Sequence, residues 1–224
     1  MKTYALITEG RTDQAVIENI LYGFLGSYDA DINWLLPLRD DTDMNRTENF
    51  SNWELVFEYC RSEKFRQAFQ LNDYVIIQVD TDVSEEPNYD VPKFEKGKEL
   101  GVPELIRRVR AKLVSLITDE IYSKFEDRII FAISVHSLEC WLLPIFYKDK
   151  KASKTKGCQA ALNMVLRKRM KMQISGRKDV KIYERISSAF RKNKELRKLS
   201  PANPSLKKFI DELEEKKISD GSDD

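Results

Sequence analysis

The segment YALITEGRTDQAVIENILYGFL, residues 4–25, changes from the pattern of a strand to that of a helix. The predicted strand runs from Thr3, one residue before this segment, to Thr8; it is short and apolar without alternation, which predicts burial on both faces. From Asp13 to Leu25, apolar residues recur three and four positions apart, which predicts an amphipathic helix. Glu9 and Gly10 lie at the junction. Parallel α/β proteins bind ligands beyond the carboxyl ends of their strands, so an acid here indicates either a ligand site or helix capping.

The alternation of strand and helix continues along the chain. Further strands are predicted at Asp31–Leu38, Asp73–Asp80 and Asp127–Val135, and helices at Ser51–Phe69, Pro103–Tyr122, Ser137–Ile145, Gly157–Met172, Val180–Asn193 and Pro204–Lys217. A long polar loop, Thr81 to Val102, interrupts the pattern, and loops of this length are usually functional or disordered. The order predicts an α/β fold with an open, mostly parallel four-stranded sheet flanked by helices.

Length and composition bound the organisation of the chain. With 224 residues, 42% of them hydrophobic, the chain can bury a substantial core. We expect an α/β domain over residues 1–147, a basic helical region packed on it over 148–217, and a disordered tail over 218–224. No apolar run reaches the length of a transmembrane helix and no signal-peptide pattern is present, so a cytoplasmic location is expected. The three widely spaced cysteines are typical of reduced thiols.

The charged residues are unevenly distributed. Between Lys148 and Lys198 there are 18 Lys or Arg against four acids, a net charge of +14, and since the whole chain carries +1, the rest carries −13. A basic segment on an acidic body indicates contact with a polyanion such as nucleic acid, although a solvated lysine-rich surface is the simpler alternative. The residues expected to contact phosphates are Lys168, Arg169, Lys171 and Arg177.

Acidic residues follow three of the predicted strands. Glu9 comes after the first, Asp80 and Asp82 close the third, and Glu139 follows the fourth together with His136. In an extended chain, residues two apart point the same way, so Asp80 and Asp82 are predicted to lie side by side. Adjacent carboxylates repel unless a cation lies between them, and oxygen ligands suit Mg²⁺ or Mn²⁺.

Each of these acids also has a structural explanation. Glu9 and Asp13 could favour the positive end of the following helix, and the aspartates could form turns. Glu139 could lie on an exposed helix face. Acids at three strand ends together favour the metal site. The apolar run Trp141–Leu143 is predicted to be core rather than a surface on which bases stack.

The order of these motifs resembles the Toprim domain of bacterial primases, topoisomerases and OLD-type nucleases. Glu9-Gly-Arg-Thr-Asp13 is similar to the opening motif of small Toprim-like proteins and of the OLD group, and Asp80-x-Asp82 to the second motif. His136-Ser-Leu-Glu139 resembles an H-E-x-E element in a family of small stand-alone bacterial Toprim-like proteins of unknown function. One departure is Ser137, which stands where that family usually has glutamate and removes one acid from the site.

The resemblance implies metal-dependent phosphodiester chemistry. It assigns Glu9 as metal ligand or general acid/base, Asp80 and Asp82 as metal ligands, and Asp13 and Glu139 as supporting or second-metal ligands. A nearby cation could stabilise the transition state, and Lys178 in Gly176-Arg-Lys is the candidate.

The expected activity is a magnesium- or manganese-dependent endonuclease of DNA or RNA. No ATPase P-loop is present in the sequence, so an ATPase, as in OLD-type enzymes, would be a separate partner, in an antiphage defence system for example. The alternative is a catalytically inactive Toprim-like module that binds nucleic acid or a protein partner.

Overall fold

The structure, a computed structural model, describes residues 2–28, 30–38, 52–174, 179–216 and 218. Its strands are β1 (Thr3–Ile7), β2 (Asp31–Leu36), β3 (Tyr74–Asp80), β4 (Phe94–Glu95), β5 (Lys98–Glu99) and β6 (Ile129–Ser134). Its helices are α1 (Arg11–Leu25), α2 (Asn52–Arg61), α3 (Glu63–Leu71), α4 (Val102–Leu116), α5 (Asp119–Phe125), α6 (Glu139–Phe146), α7 (Cys158–Met170), α8 (Val180–Ser187), α9 (Asn193–Leu199) and α10 (Pro204–Glu215).

The main sheet has the order β2-β1-β3-β6, and its strand pairs are all parallel. The predicted α/β fold with a four-stranded parallel sheet is confirmed. Short apolar strands form such a sheet because helices can cover both of its faces. Since the strands are parallel, their carboxyl ends meet at one edge, which we call the carboxyl edge and which carries the ends of β1, β3 and β6.

Helices cover the sheet on both faces. One core contains alternate strand residues such as Leu6 and Ile76, packed against α1, α6, α7, α8 and α10. The other contains residues such as Ile7 and Ile77, packed against α2, α3 and α4. Trp141 is fully buried in the first core, as predicted for the Trp141–Leu143 run.

The C-terminal helix α10 covers the β6 edge of the sheet. Glu212 of α10 is buried, and its Oε1 accepts a hydrogen bond from the Phe131 amide at 3.2 Å. Ser205 Oγ accepts from the Trp141 indole at 2.8 Å and from the Val135 amide at 3.4 Å. Because an edge strand needs partners for its free amides, residues of the basic C-terminal region complete the sheet.

Three predicted helices differ from expectation. The helix expected at 180–193 ends at Ser187, and a 3₁₀ helix, Ser188–Arg191, follows it. The other two are each interrupted. The helix expected at residues 51–69 ends at Arg61 and restarts at Glu63, while its first residue lies outside the described residues. At the break, Ser62 is extended and its hydroxyl donates to the Tyr59 carbonyl at 2.8 Å. The helix expected at 103–122 ends at Leu116, and the Thr118 hydroxyl caps α5. In both places a hydroxyl competes with the continuing helix for backbone hydrogen bonds.

The long polar loop after β3 is packed rather than irregular. It contains an antiparallel hairpin, β4 and β5, in which the two turn residues Lys96 and Gly97 both have positive φ. Positive φ at both central residues is the geometry of a tight hairpin turn. Tyr89 and Val91 of the same loop are buried in the second core.

Cys140 and Cys158 form a disulfide with a Cα–Cα distance of 5.0 Å, so the prediction of reduced thiols was wrong for this pair. The bond links the beginnings of α6 and α7, whose proximity depends on tertiary packing that cysteine spacing cannot show. Cys60 is buried and free. Within the described part of the chain, no helix is long and apolar enough to cross a membrane.

Candidate functional site at the carboxyl edge of the sheet

Glu9 and Asp80 are held together by a buried glutamine. The Glu9 amide donates to Gln78 Oε1 at 3.1 Å, and Gln78 Nε2 donates to Asp80 Oδ1 at 3.0 Å. The Asp80 amide in turn donates to Glu9 Oε1 at 2.7 Å. Gln78 is fully buried and lies two residues before Asp80, so both side chains leave β3 on the same face. The end of β1 and the end of β3 are therefore fixed to each other through side-chain oxygens of the predicted site.

Asp13 lies in the first turn of α1, above the same edge, and is 2% exposed. Its carboxylate turns back over Gly10, where an added Cβ would be only 2.8 Å from Asp13 Oδ2. Gly10 has an extended φ of −155°, so its missing side chain provides space here rather than a special backbone conformation. The glycine in the Glu9-Gly10 pair is therefore explained by the close approach of an aspartate.

Glu139 is the first residue of α6 and is 4% exposed. The Tyr183 hydroxyl of α8 donates to Glu139 Oε1 at 2.5 Å. Burial, then Glu139, and then the charges of Asp13 and Asp80 raise the pKa of Tyr183 well above its ordinary value. The phenol therefore remains a donor at neutral pH, and it fixes one oxygen of Glu139.

Asp82 is placed differently from Asp80. The strand ends at Asp80, which is 6% exposed, and the Thr81 amide donates to the carbonyls of Ser134 and His136 at 3.1 and 2.8 Å. A turn follows, so the alternation of an extended chain does not extend to Asp82, which is exposed. Asp82 still lies near the site, since it is two residues from Asp80, whose carbonyl accepts a hydrogen bond from the buried Tyr89 hydroxyl at 2.9 Å. Burial, and then the charges of Glu9, Asp80 and Asp82, raise the pKa of Tyr89.

A group of basic side chains borders Asp82. His136 Nε2 lies 3.8 Å from Glu99 Oε1, and Lys156 Nζ lies 2.5 Å from the same oxygen. Lys93 Nζ donates to the Asp82 carbonyl. Burial, followed by Lys93 and Lys156, lowers the pKa of His136. We call Lys93, His136 and Lys156 the basic group.

The predicted phosphate-contacting residues lie apart in sequence from these motifs. Lys168 and Arg169 are exposed in the last turn of α7, and Lys171 is exposed just after it. Arg177 and the predicted catalytic Lys178 lie outside the described residues.

The carboxylates match a hard divalent cation in chemistry but are not assembled around one position. Glu9, Asp13, Asp80 and Glu139 supply only oxygen ligands, as Mg²⁺ and Mn²⁺ prefer. Among the described residues, no three His, Cys, Asp or Glu side chains form a group that could hold a metal ion. Binding would therefore require these side chains to turn toward one another.

Several residues of this edge were not predicted from the sequence. Gln78 had a signal, because a polar side chain in an otherwise apolar strand needs a buried partner. The sequence contains no comparable signal for Tyr183, Lys93 or Lys156, since each contacts the edge from a distant segment of the chain. Comparison of the chain with protein-family models, curated proteins and solved structures found no match in any of the three.

Proposed function

We propose that the protein is a nuclease that hydrolyses phosphodiester bonds of DNA or RNA with Mg²⁺ or Mn²⁺ at the carboxyl edge of the sheet. The observation that carries the proposal is the contact between Glu9 and Asp80 at the ends of β1 and β3. Two further buried acids follow strand ends at the same edge: Asp13 in the first turn of α1, and Glu139 at the start of α6, after β6, which pairs with β3. Placing buried carboxylates together is unfavourable without compensation, and functional sites commonly contain such groups. The motif order resembling Toprim domains gives the same assignment.

The residues have separable roles in this proposal. Glu9, anchored through the Asp80 amide, serves as ligand or general acid/base, and Asp80 and Asp82 serve as ligands. Asp13 and Glu139 support them, with Tyr183 fixing one Glu139 oxygen. A bound divalent cation would supply positive charge that stabilises the transition state of phosphoryl transfer. Lys178 remains a proposed stabiliser of the same charge.

The test is cleavage of labelled DNA and RNA by purified protein with Mn²⁺. Glu9→Gln and Asp80→Asn should each lower the rate by at least about 100-fold, as expected for loss of acid–base or ligand function. Glu58→Gln, a matched change at an exposed position of α2, should leave the rate unchanged. Equal cleavage by all variants would indicate a contaminating enzyme, and an inactive wild type with every metal and partner would reject the nuclease.

The basic C-terminal region is proposed to bind the nucleic-acid backbone. Replacing Lys168, Arg169 and Lys171 with Glu should weaken binding to all sequences alike, because phosphate contacts do not read bases. Each lost duplex phosphate contact should also lower the slope of log affinity against log salt by about 0.9. If the affinity for nucleic acid and its salt dependence do not change, these residues are part of a solvated surface and do not contact phosphates. A cytoplasmic location and a separate ATPase or defence-system partner remain proposals of the same kind.

A second candidate function is a catalytically inactive module that binds nucleic acid or a protein partner. Two observations favour it: the described residues contain no preassembled metal group, and Ser137 replaces the expected acid. Titration calorimetry with Mn²⁺ separates the two candidates. Binding that Asp80→Asn abolishes supports the nuclease, whereas nucleic-acid binding without any Mn²⁺ binding supports the module.

A further inference from the structure

The basic group brings together three side chains from separate parts of the chain. Lys93 precedes the hairpin, His136 follows β6, and Lys156 precedes α7. Lys93 and His136 are only 15% and 16% exposed, although they lie at the rim of the carboxyl edge. The Leu100 amide donates to the Lys93 carbonyl at 2.8 Å, which places Lys93 beside Glu99 of the hairpin. Basic side chains that are gathered partly out of water are stabilised by an anion between them.

Hydrogen bonds fix the backbone of this group. The His136 amide donates to the Thr155 carbonyl at 3.1 Å, which places Lys156 beside His136. The His136 carbonyl accepts from the Thr81 amide at the end of β3. The basic group is therefore attached directly to the strands that carry the acids.

The anion that faces this group is a carboxylate of the protein itself. Glu99 of β5 forms an ion pair with Lys156, with 2.5 Å between Lys156 Nζ and Glu99 Oε1. The same oxygen lies 3.8 Å from His136 Nε2. Hydrogen bonding by Lys156, together with the charges of His136 and Lys93, lowers the pKa of Glu99. Glu99 itself is 43% exposed, on a two-residue strand of a hairpin at the surface.

We infer that Lys93, His136 and Lys156 form a binding site for a nucleic-acid phosphate, and that Glu99 occupies this site until the phosphate displaces it. A carboxylate and a phosphate oxygen accept the same hydrogen bonds from lysine and imidazole. Because Glu99 Oε1 pairs with Lys156 and lies beside His136, a phosphate oxygen can reach these two donors only when Glu99 moves away. The choice of ligand rests on the proposed function, because that function places a phosphodiester at this edge.

The test measures binding of a short fluorescein-labelled single-stranded oligonucleotide by anisotropy, with calcium in place of manganese. Glu99→Gln should tighten the Kd by about two- to fivefold, the range expected for removing one exposed ion pair. The matched control is Glu95→Gln on the same hairpin, whose carboxylate pairs with Arg108 at 2.9 Å. Glu95→Gln makes the same charge change away from the basic group and should leave the Kd nearly unchanged.

A second substitution tests whether the tighter oligonucleotide binding of Glu99→Gln depends on the basic group. In a protein that already carries Lys156→Gln, Glu99→Gln should no longer tighten oligonucleotide binding. Both substitutions remove the same ion pair, the one between Lys156 Nζ and Glu99 Oε1. Equal affinities of Glu99→Gln and Glu95→Gln, a gain that persists without Lys156, or no oligonucleotide binding by any variant would each overturn the inference. Because binding is measured without cleavage, a gain that depends on Lys156 supports the phosphate site even where the wild type fails to cleave with Mn²⁺.

Discussion

Substituting Tyr183 with Phe removes one hydrogen bond to an acid of the carboxyl edge, Glu139. We call the buried or half-buried acids of this edge, Glu9, Asp13, Asp80 and Glu139, the acidic cluster. The Tyr183 hydroxyl donates to Glu139 Oε1 at 2.5 Å, and both side chains are buried. Phe keeps the ring in the core of α1, α6 and α8 and deletes only the donor. The change therefore tests whether a helix of the basic C-terminal region holds an acid of the candidate site in place.

The expected cost follows from the burial of Glu139. A hydrogen bond to a charged group contributes about 1.5 to 3 kcal/mol, and its loss here removes one donor from a buried carboxylate. A loss of about 2 kcal/mol corresponds to about 4 to 8 °C in Tm for a chain of this size. Glu139 would also lose its fixed orientation, so Mn²⁺ affinity and cleavage should fall together.

Thermal unfolding by circular dichroism and Mn²⁺ titration measure the two effects. Tyr147→Phe is the control, because the Tyr147 hydroxyl donates to the Ala161 carbonyl at 2.9 Å outside the acidic cluster. It should cost about 1 kcal/mol, the net value of an ordinary hydrogen bond, and leave Mn²⁺ binding unchanged. A Tyr183→Phe protein with wild-type Tm and wild-type Mn²⁺ affinity would refute the assigned role of Tyr183.

Three further changes test other parts of the structure. Gly10→Ala places a Cβ 2.8 Å from Asp13 Oδ2, so calorimetry should show weakened Mn²⁺ binding with the fold retained. Burial raises the pKa of Glu212, so the folded state holds more protons than the unfolded state and stability falls as pH rises above the ordinary carboxyl range. Glu212→Gln should flatten this decline in urea unfolding measured from about pH 5 to about pH 8, and an unaltered slope would contradict it. Cys158→Ser opens the disulfide to Cys140 across 18 residues and should lower the free energy of unfolding by about 3 kcal/mol; an unchanged urea midpoint would contradict this.

The sheet could be predicted because each of its strands is a short apolar run that can be recognised without knowledge of the rest of the chain. Residues 74–80 are almost continuously apolar, as a strand buried between two helical layers must be. Helix ends were harder to predict. The breaks at Ser62 and Thr118 depend on whether a hydroxyl bonds to the backbone or faces water, which the pattern of apolar residues does not determine. The tight hairpin around Lys96 and Gly97 was missed for a similar reason, since its turn lies inside a polar segment.

The candidate site could be predicted in part. Strand-end acids can be read from the sequence because parallel strands share a carboxyl edge, and the structure places Glu9 and Asp80 in direct contact there. The relation between Asp80 and Asp82 could not be predicted, because it depends on where β3 stops. The partners Gln78 and Tyr183 belong to the tertiary structure, and Tyr183 lies 44 residues from the glutamate it contacts.

The acidic edge and the basic region cannot be separated without exposing their shared hydrogen bonds. The Tyr183 hydroxyl donates a hydrogen bond to Glu139, and the Trp141 indole donates one to Ser205. Glu212 accepts a hydrogen bond from an amide of the edge strand β6. Removing these helices would also expose the apolar side chains of the first core, and a folded chain has only about 5 to 15 kcal/mol of stability in total. Removal of the basic helices should therefore unfold the sheet rather than yield an acidic domain with altered binding. It follows that charge reversal on the surface of α7, and not truncation, is the change that tests the proposed nucleic-acid binding separately from the proposed chemistry of the acids.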